Sequence, residues 1–183
     1  MHRLFVAIDL PESVKDAIKS ICGAIPDARW VDMRQLHLTL RFIGEVDDAT
    51  FESIKSTLAE IAEPRFSLNL SGVGCFPSKH APRVLWVGID DNEVLARLAD
   101  KVEQILVQKN GIEPERKKFS PHITIARFRE RSPSGVADYL ARNSSFSTET
   151  FPVDAFYLYS SKLTPKGAEH RREAVYPLKN IQD

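Results

Sequence analysis

Two short stretches of this 183-residue chain carry residues that could do chemistry together: His37-Leu38-Thr39-Leu40, within QLHLTLRFIG, and His122-Ile123-Thr124-Ile125, within FSPHITIARF. Each reads as a β-strand, and a strand sends successive side chains to opposite faces. His37, Thr39 and Arg41 then share one face, while Leu38, Leu40 and Phe42 point to the other. His122 and Thr124 are set against Ile123 and Ile125 in the same way. A lone histidine on a strand is ordinarily structural, but two matched tetrads are harder to dismiss. Brought face to face they make a cleft with two imidazoles and two hydroxyls. An imidazole titrates near neutrality, so one can be neutral while its partner is protonated. In-line displacement at phosphorus needs a base on the attacking oxygen and an acid on the leaving oxygen. The hydroxyls can donate to the non-bridging oxygens, where charge gathers in the transition state.

The surrounding elements repeat. RLFVAID (3–9) is a short strand, and LPESVKDAIKSICGAI after it is a helix that starts near Pro11, with Val14, Ile18 and Ile21 at helical spacing. The His37 strand follows, then a helix over 47–64 with Phe51, Ile54, Leu58 and Ile61 on one face and Pro64 as its stop. RFSLNLSGVGCF (65–76) alternates as a strand. The order then recurs: RVLWVGID (83–90), a helix over 91–111 ending at Asn110-Gly111, the His122 strand, a helix near 132–143 and a strand from about 151 to 161. Each unit, about 3–76 and 83–161, reads strand–helix–HxTx strand–helix–strand. Such duplication predicts an α+β fold of two lobes about a pseudo-two-fold axis, packed as one domain over 1–183. GCFPSKHAPR (74–83) connects the halves.

Bulk composition narrows the function. The 43% hydrophobic and 27% charged residues suit a soluble globular protein. With 25 basic and 25 acidic residues the formal net charge is zero, which argues against coating long stretches of nucleic acid. A few local charges can still recognise a nucleotide end. Cys22 and Cys75 form no CxxC or finger-like cluster, as expected of idle thiols in a reducing cytoplasm. The apolar stretch in MHRLFVAIDL is too short for a leader or a membrane span. No HExxH is present, and neither tetrad has an acidic metal ligand near it, so no metal and no cofactor is expected.

On RLFVAIDLP, LHLTLRFIGEV, PRVLWVGI, FSPHITIARF, FYLYSSKLTPKG and YPL, the chain resembles the two-histidine (2H) phosphoesterase superfamily. Within it the chain looks like the RNA 2′,3′-cyclic phosphodiesterases, also called 2′-5′ RNA ligases (LigT-like). The resemblance implies two mostly antiparallel sheets flanking a central cleft, with helices outside. It implies metal-free hydrolysis of a 2′,3′-cyclic phosphate end to a 2′-phosphate, with possible reversible 2′-5′ ligation. The expected partner is RNA with such an end, or a small nucleotide, bound by a cytoplasmic monomer without membrane contact. Carried onto this chain, His37 and His122 are the catalytic pair and Thr39 and Thr124 bind phosphate. The family's phosphate-contacting arginine falls on Arg127.

Arg127 sits at odd parity from His122, so it can face the cleft only if the strand breaks its alternation near residue 126. Arg41 has the right parity and is a possible substrate contact. Phe42, Phe76 and Trp30 are candidates for base stacking, and ERKKF (115–119) for guiding RNA phosphates. His170 stands where the family often has Tyr, and is expected to be an exposed polar residue. The working assignment gives His37 the leaving 3′-oxygen and His122 the attacking water. Two other readings compete. One is a phosphodiesterase acting on another small cyclic or nucleotide phosphate. The other is a non-catalytic RNA-end binding module, which would need neither acid nor base.

Overall fold

In the computed structural model, which describes residues 1–26, 28–129, 134–164 and 167–180, the run Leu4–Ile8 is buried at every position. A strand so apolar on both faces must lie inside a sheet. It does: β1 (His2–Asp9) is flanked by β3 (His37–Val46) and β9 (Ala155–Thr164), and β10 (Gly167–Pro177) completes an antiparallel sheet of order β10-β9-β1-β3. A second antiparallel sheet has the order β2-β7-β6-β5, from β2 (Arg29–Trp30), β5 (Leu70–Phe76), β6 (Val84–Ile89) and β7 (His122–Arg127). β4 (Phe66–Leu68) and β8 (Phe151–Val153) pair as a small ribbon.

Membership of the sheets crosses the sequence halves. β5, from the first half, pairs with β6 of the second, and β9 of the second pairs with β1 of the first. The 74–83 stretch therefore closes a hairpin inside one sheet instead of joining two separate bodies. The expected single strand over 65–76 is two strands with different partners, and the 151–161 strand divides in the same way between β8 and β9. β2 and β10 are additions to the sequence reading.

Four α-helices are found among the described residues: α1 (Glu12–Ser20), α2 (Asp48–Leu58), α3 (Glu93–Asn110) and α4 (Val136–Arg142). Asp47 caps α2 by accepting from the Thr50 amide at 2.8 Å, and Asn92 caps α3 by accepting from the Leu95 amide at 2.9 Å. α3 stops at Gly111, whose φ of 64° is left-handed and ends a helix without a Cβ clash. α2 ends at Leu58, earlier than Pro64 suggested, because the turn after it is already closed by the Glu60 and Ile61 amides. Residues 132 and 133 of the expected fourth helix lie outside the described residues. α3 packs against α2 and β3, turning Leu95, Leu98, Val102 and Leu106 into the core.

The two tetrad strands share that core. Leu38, Leu40, Ile123 and Ile125 are all buried, and each contributes roughly 1.5–3 kcal/mol by leaving water. That burial sets each strand's rotation about its axis, and so determines where the opposite face points. The opposite faces look into the space between the sheets.

Candidate active site

The apolar-in, polar-out alternation of β3 and β7 directs His37, Thr39, His122 and Thr124 into one cleft of about 770 Å³. His37 and Thr39 come from the first sheet, His122 and Thr124 from the second. Each imidazole is held in the same way. His37 Nδ1 donates to the Gln35 carbonyl at 2.7 Å, and His122 Nδ1 donates to the Ser120 carbonyl at 2.8 Å. A carbonyl only accepts, so Nδ1 carries a hydrogen in both rings. Each Nε2 is thereby left to take or give the reacting proton.

Strict alternation ends one residue past each threonine. In β3, Ala7 lies opposite Thr39 and Val6 opposite Arg41, so Leu40 is an extra residue. In β7, Trp86 lies opposite Thr124 and Leu85 opposite Ala126, so Ile125 is extra. A bulge of this kind puts two consecutive side chains on one side. Leu40 and Arg41 are both buried, as are Ile125 and Ala126. The next residues, Phe42 and Arg127, swing into the cleft. The break near 126 expected for Arg127 is therefore present, and Arg127 faces the same space as both histidines.

The same bulge corrects the reading of Arg41. Its guanidinium points away from the cleft, donating to the Glu103 carboxylate and to the carbonyls of Phe42 and Glu113, with Glu115 beside it. It is 9% exposed and ties β3 to α3 and the loop beyond. Parity counted straight from His37 fails because Leu40 is inserted. Phe42, assigned by parity to the buried face, is instead 60% exposed at the cleft. Phe76 lies edge-on to His122, with ring centroids 4.9 Å apart, and Trp30 also lines the cleft. Glu115 sits beside Arg41, and Arg116, Lys117 and Lys118 are exposed.

Further residues of the site were not read from the sequence. His170, expected on the open surface, lies against His37 with centroids 5.2 Å apart, and burial lowers its proton affinity. It arrives on β10, a strand the sequence reading did not find. Phe5 packs on His37 at 4.9 Å, and Tyr159 stacks on Phe5 while donating to Asp9 at 2.5 Å. Arg172 also donates to Asp9 and lies over the Tyr157 ring. Beyond His37 the cleft continues into a side pocket of about 350 Å³, whose walls include Asp9, Arg34, Tyr159 and Glu169.

Burial sets the proton affinity of His37. Desolvation holds the His37 imidazole down to about 4, with nearby His170 and Arg127 acting in the same direction. The carbonyl of Gln35 and the charge of Asp9 oppose this without reversing it. At neutral pH, with no anion beside it, His37 is therefore a neutral base. The working assignment of His37 as proton donor can hold only once an anion beside it restores the proton. Among the described residues no three His, Cys, Asp or Glu side chains converge as metal ligands, and no helix is long and apolar enough to cross a membrane.

Two antiparallel sheets, each presenting a His-x-Thr strand to a shared cleft, define a two-histidine phosphoesterase. The profile described as LigT like Phosphoesterase matches this chain twice, over residues 8–86 and 87–169, and the chain belongs to that family. It is 35% identical to the RNA 2′,3′-cyclic phosphodiesterase of Archaeoglobus fulgidus over 95% of this chain and 99% of the relative. The enzyme of the same name from Thermotoga maritima is 35% identical, over 90% of this chain and 89% of its own length. Among solved structures, E. coli LigT complexed with 3′-AMP superposes with a TM-score of 0.78 at 27% identity, covering 98% of this chain and 99% of that one.

Proposed function

We propose that this protein hydrolyses the 2′,3′-cyclic phosphate end of RNA, or of a nucleoside, to a 2′-phosphate by acid–base catalysis between His37 and His122. The observation that carries the reading is the matched pair of imidazoles. Each is oriented by the carbonyl two residues earlier, and each turns Nε2 into one cleft beside a threonine. A module that only bound RNA ends would need neither a proton acceptor nor a donor. The names of the relatives support the same substrate class.

In this reading the phosphate sits between the two strands. Thr39 and Thr124 donate to its non-bridging oxygens, and among the described residues neither hydroxyl is committed to another protein group. Arg127 adds a guanidinium, which can give two parallel hydrogen bonds. Phe42, exposed at the rim, and Phe76 offer faces to the base or ribose. His37 is neutral until the substrate arrives. The phosphate anion then raises its proton affinity strongly, because charges interact most in a desolvated place. So charged, His37 protonates the leaving 3′-oxygen while His122 takes a proton from water. Replacing that water by a 5′-hydroxyl end gives 2′-5′ ligation. We place the activity in the cytoplasm of the cell, on a monomeric enzyme.

The test is product analysis on a short RNA ending in a 2′,3′-cyclic phosphate. The expected product is the 2′-phosphate, with a trace of 2′-5′-joined RNA when a 5′-hydroxyl strand is added. Tight binding without turnover would leave the RNA-end binding module as the answer. Turnover of small cyclic phosphates with none on RNA would shift the substrate class.

A further inference from the structure

We propose that His170 is a positioning residue for His37: its imidazole fixes the His37 ring where the cleft meets its side pocket, and its charge opposes proton uptake by His37. The proposal rests on the phosphodiesterase reading for what the site does, and on geometry alone for what His170 does to its neighbour.

The His37 ring is boxed on several sides. Phe5 lies against it at 4.9 Å, and the edge of His170 meets it at 5.2 Å with the planes 74° apart. His170 also meets Phe5 edge-on at 4.9 Å, so the three rings form one packed set. The strand that carries His170 holds His37 by a second route. Gln35, whose carbonyl accepts from His37 Nδ1, donates its own side-chain amide to the Ala168 carbonyl at 2.7 Å. Residues 168 and 170 of β10 therefore secure both the backbone anchor and the ring of His37. Among the described residues, the rings beside His122 are those of Phe76 and Trp86, with no further imidazole.

His170 lines both the main cleft and the side pocket beyond it. Among the described residues its ring makes no hydrogen bond, so neither nitrogen is tied to another role. The charged and titratable groups around it come from every neighbouring element. Asp9 of β1 is engaged by Tyr159 of β9 and by Arg172, and Asp32 is engaged by Arg34. Glu169 of β10 remains, with Arg29, His122 and Arg127 across the cleft and His37 itself. Two imidazoles this close resist carrying charge together, since like charges in a partly desolvated space repel strongly. A protonated His170 thus works against protonation of His37, and a neutral one permits it.

Two variants separate packing from charge. His170→Ala removes both, while His170→Phe keeps a flat ring against His37 and Phe5 but cannot titrate. On cyclic-phosphate RNA, His170→Ala should lose ~10-fold or more in kcat with KM changed little, as expected when a reacting group is misplaced. His170→Phe should recover most of that loss. NMR titration of the His37 ring in the unliganded protein reads the charge directly and needs no turnover. Its midpoint should rise by about half a pH unit or more in His170→Phe, because the repelling charge is gone. An unchanged His37 titration in His170→Phe, together with a normal kcat in His170→Ala, would overturn the proposal. A shifted titration in a protein inactive on every cyclic phosphate would leave the role of His170 standing and remove the phosphodiesterase reading instead.

Discussion

Phe42 and Arg127 occupy equivalent places in the two halves of the site. Each stands three residues past the threonine of its tetrad, just beyond a bulge, and each points into the cleft. One half thus offers an aromatic face where the other offers a guanidinium. The matched histidines make the site look symmetric, and this pair shows that it is not: a nucleotide has one charged end and one aromatic end.

Arg127→Ala should impair turnover or substrate affinity with thermal stability nearly unchanged, and Arg127→Lys should recover only part of the loss. Arg41→Ala should do the reverse. It leaves the half-buried Glu103 carboxylate and the Phe42 and Glu113 carbonyls without their donor, which costs about 1–3 kcal/mol in stability. Chemical denaturation and steady-state kinetics on both variants check the pair. An Arg127→Ala enzyme with normal kinetics would remove that residue from the site.

His37→Ala and His122→Ala should each lower the rate by ~10²–10⁴, the usual worth of a positioned acid or base. Thr39→Ala and Thr124→Ala should cost less, each removing one neutral donor. All four should remain folded, as circular dichroism would show, since these side chains face the cleft and not the core. Near-normal turnover in either histidine variant contradicts a cooperating pair.

Substrate binding should draw a proton from solution. His37 is held to about 4 by burial, so at pH 6 to 7, roughly, binding of a phosphate anion must be accompanied by uptake of a proton from solution if His37 is to act as the acid. Calorimetry of nucleoside 2′-phosphate binding in buffers of different ionisation enthalpy reads this uptake. It should vanish in His37→Ala. No uptake in the intact protein would reverse the roles, making His37 the base.

The same histidine should make stability depend on pH. Unfolded, its imidazole titrates at about 6.5, whereas in the fold it titrates at about 4. Between these values the unfolded chain binds a proton that the folded chain refuses. Its contribution is therefore full above about 6.5 and is lost as pH falls toward 4, by up to ~3 kcal/mol. His37→Asn should lose stability less steeply over that window. Parallel slopes for the two proteins would show that burial of His37 carries no such penalty.

Turnover should survive excess chelator, because the proposed chemistry asks only for protons and hydrogen bonds. Activity lost in EDTA and restored by zinc or magnesium would replace the acid–base pair with a metal mechanism.

Much of this was legible in the sequence, and for a local reason. Strand periodicity and the His-x-Thr repeat depend only on neighbours along the chain, so both tetrads, their buried Leu and Ile faces, the start of one helix at 47 and the end of another at Gly111 could be read directly. Arg127 illustrates the limit: its parity demanded a break, but only the pairing with β6 shows Ile125 as the extra residue. Arg41 and Phe42 were misplaced for the same reason, since a bulge is a mismatch between two strands and one strand alone does not reveal it.

Other features depended on contacts between residues far apart in the chain. β9 joins β1 and β5 joins β6, so each sheet mixes the two sequence halves, a choice made by long-range pairing and not by local pattern. That exchange brings β10 alongside β9, sets His170 against His37, and lets the Ala168 carbonyl accept from the side-chain amide of Gln35, 133 positions away. The sequence by itself determined which groups could exchange protons. Tertiary structure decided how much water His37 sees, and desolvation, a property of the packed surroundings, is what lowers its proton affinity.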